Sequence, residues 1–573
     1  IQFGSGTGAI NFNHTETNHG FASDISGAGT INQLAGVTKL TGNSSGFTGT
    51  TNVFGGGLYV NGSLGGTINV TGGLLGGSGA TGNVTIASGG TFAPGNSIGT
   101  INVANASFSA GSVYAVEVES GGTSDLINAS GAVTIDGGSV NVIAYPDYAL
   151  GTTYTIVTAA GGVTGSFDSA AFSGGTIFIA PTLTYDANNV YLDLAKLTFA
   201  DLGLTPNQKA AAAGAESLGA GNAIYDAIYA LGAAAEAQAA YDAVSGEIHA
   251  SVKGMLLEDS RFIRDAATSR IDAAFGDAGS APLPVMAYGE GGQEMVAADT
   301  DRFAVWGQAF GSWGNTGSDG NAAAFDRSTG GLLMGADGLV GDWRVGLLGG
   351  YSHSSFDIDA RHSSGDADSY HLGLYGGTNW GAIAFRTGAA YSWNRISTKR
   401  AIAFNGFTDQ LSADYDAGTA QVFGELAYKA DARRFKFEPF ANLAYVSVHT
   451  DGFTEHGGAA ALTSASSTTN ATFTTLGLRA STDVALGGIS ATTRGMLGWR
   501  HAFGDVTPTS TFAFAGGDAF TIGGVPVARD SAVIEAGFDL KMSANATLGL
   551  SYAGQFGTHA ADNGARANLS VKF

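Results

Sequence analysis

The chain has 573 residues, enough for more than one domain, and contains 90 glycines, 9 prolines and no cysteine. Hydrophobic residues make up 44% and aromatic residues 10%, which excludes a disordered chain, while scarce proline without a Gly-X-Y period excludes collagen. A formal charge of −22 leaves no basic face to neutralise phosphates, which argues against nucleic acid, and the lack of cysteine removes disulfides, thiolate metal sites and a cysteine nucleophile. A cysteine-free chain suits export through an oxidising periplasm. No apolar run reaches about 18 residues, so no transmembrane helix is supported, but membrane-crossing strands need only about 9–11 alternating residues each. Ile1 follows no charged or apolar leader pattern, so the sequence reads as mature or as a fragment.

Residues 1–195 contain one basic residue, Lys39, among short bursts of Gly, Thr, Ser, Asn and Val. Related phrases recur: "INV" at Ile68 and Ile101, "GNVTIASGGT" from Gly82 and "GAVTIDGGSV" from Gly131. No burst is long enough to bury a core alone, whereas stacking successive turns would do so. The expectation is a right-handed parallel β-helix with Gly and Asn at its corners and about 20–25 residues per rung.

Residues 196–275 change character. "TPNQ" places Thr205 as N-cap, Pro206 at the first helical position and Gln208 three residues after the cap, a capping box. Ile224, Ile228 and Leu231 follow at helical spacing, and Gly246 is a break. A second helix is expected over Glu247–Phe275, with Val252, Met255, Leu256, Phe262 and Ile263 apolar. Residues 276–295 read as a loop rich in Gly and Pro.

Residues 296–573 alternate. In "AVIEAGFDLKM", Ile534, Ala536, Phe538, Leu540 and Met542 oppose Glu535, Gly537, Asp539 and Lys541. About twelve such segments occur, joined by short turns alternating with long polar loops. A soluble β-sandwich alternates too, but three features favour a 12-stranded antiparallel transmembrane barrel. The segments are long. Trp306, Trp313, Trp343, Trp380, Trp393 and Trp499 lie near segment ends, where aromatic girdles sit. The sequence closes on a strand, "NGARANLSVKF". The fold class is therefore all-β with a helical linker.

The segments "IEAGFDLKMSANATLGLSYAGQFG" and "NGARANLSVKF" resemble the final strands of monomeric autotransporters of the type V secretion class, and the likeness runs in order over Met295–Phe573. "SGEIHASVKGMLLEDSRFIRDAATSRI" resembles the helical linker of that family. "GVTKLTGNSSGFTGTTNVFGGGLYVNG" and "SGGTFAPGNSIGTINV" resemble its β-helical passengers. The resemblance implies a barrel in the bacterial outer membrane that exports its own passenger to the cell surface, with the linker helix remaining in the lumen. It implies lipid, periplasmic chaperones and a barrel-assembly machinery as partners, the last reading Leu569, Val571 and Phe573. A monomer is expected.

Candidate chemistry is sparse. "GNSSG", Gly42–Gly46, fits a nucleophile-elbow pattern but lacks the helix that should follow it, so a solenoid corner is the better reading. His14, His19 and Glu16 read as solvated surface, as do Asp125 and Asp136, which lack calcium-loop spacing. No catalytic residue, cofactor or metal is expected. If the helix fills the lumen, Arg261, Arg264 and Arg270 are expected to pair with the inward carboxylates Glu425, Glu438, Glu535 and Asp539. Some relatives release the passenger through linker asparagines, and none occurs in 246–275, so an uncleaved, surface-tethered passenger is expected. The passenger is expected to be an adhesin-like stalk, which makes the protein a non-enzyme that could bind host or neighbouring cell-surface ligands. The alternative is a protease or esterase passenger whose catalytic part lies outside this sequence. A plain porin is a third reading, opposed by the helix.

Overall fold

The computed structural model describes the chain except residues 146, 174, 279–283, 290–291, 487–488, 544–545 and 572–573. The chain divides into two units, 1–198 with 229–234, and 199–228 with 235–573.

The first unit is built from two ladders of parallel strands visited in turn by the chain, as in a β-helix. One ladder aligns Val53 with Val70, then Ile86, Phe108 and Ile135. The other aligns Leu58, Leu75, Phe92, Tyr114 and Val140. All ten are buried, so each rung adds one inward side chain to a continuous column in each sheet. Rungs lengthen along the rod, with partners in the first column 17, 16, 22 and 27 residues apart. The phrases at Gly82 and Gly131 are therefore two rungs apart, because Val84 and Val133 both align with Ala106. The two "INV" phrases do not stack, since Ile68 aligns with Val84 whereas Ile101 aligns with Ile127. Asn32, Asn52 and Asn69 each donate a side-chain N–H to the asparagine one rung earlier, at 2.8, 3.0 and 3.4 Å. Gly56 has φ of 69°, and a Cβ there would lie 2.1 Å from the Gly36 carbonyl oxygen, so this corner requires glycine. The hairpin Ile179–Tyr185 and Asn189–Lys196 pairs antiparallel with Thr153–Ala159 and covers the edge of one ladder.

In the second unit α1 (Pro206–Glu216) starts at Thr205 with both capping-box hydrogen bonds formed. Then come α2 (Ala223–Tyr229), whose last residue falls in the first unit, and α3 (Ala234–Val244). The long helix foreseen over 247–275 is two abutting segments, α4 (Glu247–Asp259) and α5 (Arg261–Phe275). The Ser260 hydroxyl donates to the Leu257 carbonyl at 2.7 Å where they meet.

Twelve strands close the barrel: β1 (Phe303–Thr316), β2 (Phe325–Val340), β3 (Trp343–Ile358), β4 (Ser363–Trp380), β5 (Ile383–Phe404), β6 (Phe407–Tyr428), β7 (Phe435–Thr450), β8 (Ser467–Leu486), β9 (Ile489–Gly504), β10 (Asp530–Ser543), β11 (Ala546–Gly557) and β12 (Ala560–Val571). All neighbours are antiparallel, and β1 pairs with β12 from Ala309 with Ala567 to Thr316 with Ala560. Closure gives each of the twelve strands a partner on both sides, which a bilayer demands. Leu332, Leu347, Leu374, Leu426, Leu443 and Leu497 are exposed on the outer wall, a band of apolar surface that suits lipid and not water.

Three expectations are corrected. Within 276–295, read as a loop, Val285–Gly289 pairs with Gly292–Val296 in a hairpin that also pairs with Phe303–Val305. The reason is geometric: among the described residues β12 pairs with β1 from Ala309 onward, which leaves the start of β1 an edge for the hairpin to pair with. Trp306 is not part of an outer girdle. It lies at an inward position and donates its indole N–H to the Tyr375 hydroxyl at 2.6 Å, whereas Trp313, Trp380, Trp393 and Trp499 are exposed. The loop side of the barrel is also not uniformly long-looped, because β5 and β6, 22 residues each, meet in a tight turn at Asn405 and Gly406. At about 3.3 Å per residue those strands outrun the roughly 30 Å hydrocarbon layer.

Candidate functional site

The site is the lumen, where α4 and α5 are buried side by side with the inner faces of the strands. Residues 247–257 of α4 are buried throughout, and its Ala, Ser and Gly positions keep the helix narrow. On α5, Phe262, Ile263, Ala266, Ala267 and Ile271 form an apolar stripe against Phe310, Leu333, Leu348, Tyr375, Phe423 and Ala444. Phe262 stacks on Phe310 with ring centres 4.6 Å apart. Part of the inner wall is thus apolar because the helix has an apolar face to cover.

The remaining helix surface is charged, and the barrel answers it with opposite charges. On α4, His249 Nε2 lies 2.8 Å from Glu455 Oε1 and Nδ1 lies 3.1 Å from the Tyr415 hydroxyl. Arg400 clamps the same carboxylate with bonds of 2.7 and 2.8 Å. Lys253 donates to Ser467 Oγ at 2.6 Å and to the Thr509 carbonyl at 2.8 Å. Glu258 accepts both terminal nitrogens of Arg500, at 2.8 and 2.5 Å, and Asp259 pairs with Arg327.

The expected arginines sit in the lumen, with partners other than those expected. Arg261 donates to Asp562 at 2.6 Å and to Gln555 at 3.1 Å. Arg264 donates to Gln421 at 3.1 Å. Arg270 grips Asp337 through two nitrogens at 2.7 and 2.8 Å, and Asp337 also accepts from Tyr375 at 2.7 Å and lies 3.2 Å from Arg344. Glu425 and Glu438 are buried, but they pair with the barrel arginines Arg386 and Arg479, at 2.7 Å from Glu425 and 2.9 Å from Glu438 in both cases. The helix contributes Asp272 to that cluster, as a partner of Arg386. Glu535 lies 3.9 Å from Arg566, and Asp539 lies 3.7 Å from Arg494. The two helices carry more ion-paired carboxylates than guanidiniums, since Glu247, Glu258, Asp259, Asp265 and Asp272 all meet barrel arginines, and the helix cations alone do not reveal the guanidinium side of the wall. Basic residues at inward parity in the strands, such as Arg327, Arg386, Arg400, Arg479 and Arg500, were the available signal.

Oxygens of Asp272, Glu425 and Glu438 lie within 4.8 Å of one another, a spacing that could hold a cation. Arg386 and Arg479 bridge these carboxylates, which makes the cluster an ion-pair network. Leu569 and Val571 pair with Leu548 and Ala546 in the β11–β12 register, and Phe573 lies outside the described residues. In the first unit, Ser44 of the elbow-like pattern is buried and its hydroxyl accepts the Ile25 N–H at 2.9 Å, so it is a corner residue. His19 is 3.2 Å from Glu16 and His14 is 2.9 Å from Thr38. Asp125, expected on the surface, is buried and accepts the N–H groups of Gly99 and Glu117 at 2.8 and 2.9 Å. Burial pushes its carboxyl up to about 7, against the two backbone donors that favour the anion.

The autotransporter β-domain family model matches residues 305–553. Two curated proteins of Serratia marcescens, both named extracellular serine protease, are 34% and 32% identical to this chain; each match covers 82% of the chain and 48% of the relative. The chain thus spans about half the length of the curated relatives it matches. Similar solved structures include the translocator domain of autotransporter NalP from Neisseria meningitidis, 14% identical with a TM-score of 0.40 over 56% of this chain and 99% of that one. Another is the transport unit of AIDA-I from Escherichia coli, 18% identical with a TM-score of 0.36 over 47% of this chain and 90% of that one. The relatives named as proteases overturn the expectation of a non-enzyme. Residues 305–553 are thus an autotransporter β-domain, the closed barrel that sits in the bacterial outer membrane.

Proposed function

We propose that this chain is the export and anchoring portion of a serine protease autotransporter. Residues 1–195 act as the β-helical region of the passenger, 196–275 as junction and lumen helix, and 296–573 as translocator. The observation that carries this reading is a charged helix buried inside a closed barrel with an apolar outer wall, in a chain that continues back into a β-helix. The protease assignment rests on the relatives' names and overall similarity, not on a site within these residues. Two serine–histidine contacts lie in the barrel wall. Ser352 is 2.9 Å from His371 Nε2, whose other nitrogen meets Ser392 rather than a carboxylate. Ser355 is 3.4 Å from His353 Nε2, whose other nitrogen is 2.9 Å from Asp368, but that set is exposed on one strand pair. Folding of the β-helix outside the cell supplies directionality, since each rung needs only its neighbour as template. Chaperones and a barrel-assembly machinery are the partners this route requires.

The passenger stays tethered, because α4 and α5 contain no asparagine to cyclise and cleave. The test is expression in an outer-membrane host with an epitope tag in the first unit. Tag exposure on intact cells, together with a heat-modifiable barrel carrying the full chain mass, supports the proposal. A tag that remains periplasmic sinks the export reading, and a cut within 246–275 found by mass spectrometry sinks the tether.

A further inference from the structure

A cavity of about 100 Å³ lies between α5 and the inner wall of the barrel, with Arg264, Arg479 and Arg500 among its lining residues. That is room for a few waters or one tetrahedral anion. The arginines differ in what they face. Arg500 is satisfied by Glu258, and Arg479 by Glu425 and Glu438. The other carboxylates on the cavity wall are engaged as well: Asp272 by Arg386, and Asp265 and Glu535 by Arg566. Arg264 is 7% exposed and, among the described residues, donates to a neutral acceptor, the Gln421 side-chain oxygen. The orientation of that amide is determined by its other end, since the Gln421 nitrogen donates to the Ser260 carbonyl at 2.8 Å. Among the described residues, Arg264 is therefore a buried guanidinium at a polar cavity with no carboxylate bonded to it.

A buried guanidinium with no carboxylate bonded to it is costly, and its planar fork matches an oxyanion in two parallel hydrogen bonds. We propose that this cavity binds a tetrahedral inorganic oxyanion of the phosphate or sulfate class, held by Arg264. The anion neutralises Arg264 and favours the state in which α5 is seated in the lumen. The inference depends on the helix lying in the barrel and not on what the passenger does, so loss of protease activity leaves it untouched.

The test uses the full chain in detergent, titrated with inorganic sulfate against chloride at constant ionic strength. Calorimetry is expected to show one saturable site per chain, with a matching rise in the temperature at which the heat-modifiable barrel unfolds. Arg264→Gln is expected to weaken sulfate binding at least about tenfold, as loss of a charge-assisted bond implies. Arg302→Gln, which removes an exposed pair with Glu294, should leave it unchanged. Should Arg264→Gln not assemble, Gln421→Glu answers the same question: a built-in carboxylate beside Arg264 is expected to give a folded barrel that no longer responds to sulfate. Absence of saturable sulfate binding overturns the proposal. So does a response to chloride equal to that to sulfate, undiminished binding by Arg264→Gln, or an undiminished sulfate response in Gln421→Glu.

Discussion

Arg270 and Asp125 show how differently two buried charges can be held. Arg270 has a bidentate carboxylate and the Ala298 carbonyl at 3.0 Å. Arg270→Ala leaves Asp337 buried, with Arg344 and Tyr375 still near it. The expected cost is about 3 kcal/mol, the low end for breaking a buried pair. It is read as a lower unfolding temperature of the heat-modifiable barrel and faster proteolysis of the helix. Asp125 behaves in the opposite sense to a salt-bridged carboxylate. Its folded pKa, about 7, lies above the unfolded value, so the folded state binds the extra proton. Its stabilising contribution is complete below about pH 4 and is lost as the pH rises towards 7. Melting of the β-helix followed from pH 4 to 8 is expected to show this decline, and Asp125→Asn is expected to flatten it. A wild-type β-helix that gains stability over that range rules the argument out. The sequence named both residues but not their surroundings: Arg270 was expected to meet other carboxylates than Asp337, and an Asp in a Gly-rich stretch reads as solvated, because nothing local tells that the next rung covers it.

At the scale of elements, the rung columns and the helix caps follow different rules. Phe108 lies within the column Val53, Val70, Ile86, Phe108, Ile135, with Ile86 and Ile135 as its neighbours. Phe108→Ala is expected to cost about 3–5 kcal/mol. The damage should spread to those adjoining rungs, since a solenoid's stability is largely a nearest-neighbour sum. Limited proteolysis mapped by mass spectrometry checks this, with new cuts expected first near 86–135. A cut confined to the Phe108 rung would contradict nearest-neighbour coupling. By contrast, Thr205→Ala at the N-cap of α1 is a local change of about 1 kcal/mol. The capping box was legible because Thr205, Pro206 and Gln208 interact within one turn. Alternating strands were legible because every second residue faces lipid. The rung spacing was only half legible, since phrases at Gly82 and Gly131 repeat across two rungs while the rung between them has diverged.

For the whole molecule, the consequence of a seated helix is a closed pore. Deleting 247–275 from the full chain is expected to turn a closed barrel into one that conducts steadily in planar bilayers. Equal conductance with and without the segment would show that the helix does not seal the lumen. The sequence by itself determined the classes of structure present: a Gly- and Asn-cornered solenoid, a capped helical stretch and a barrel of alternating strands. These depend on periods of two and 3.6 residues and on contacts within a turn, which are written locally. The tertiary structure alone decided the orientation of Trp306, the hairpin that pairs with the start of β1, and the ion-pair map of the lumen. Alternation says that Glu425 and Arg386 face inward, but the register of β5 with β6 and the position of α5 set which charge each one meets. Electrostatic partners depend on distances of a few ångströms between residues far apart in the chain, and no local period encodes those distances.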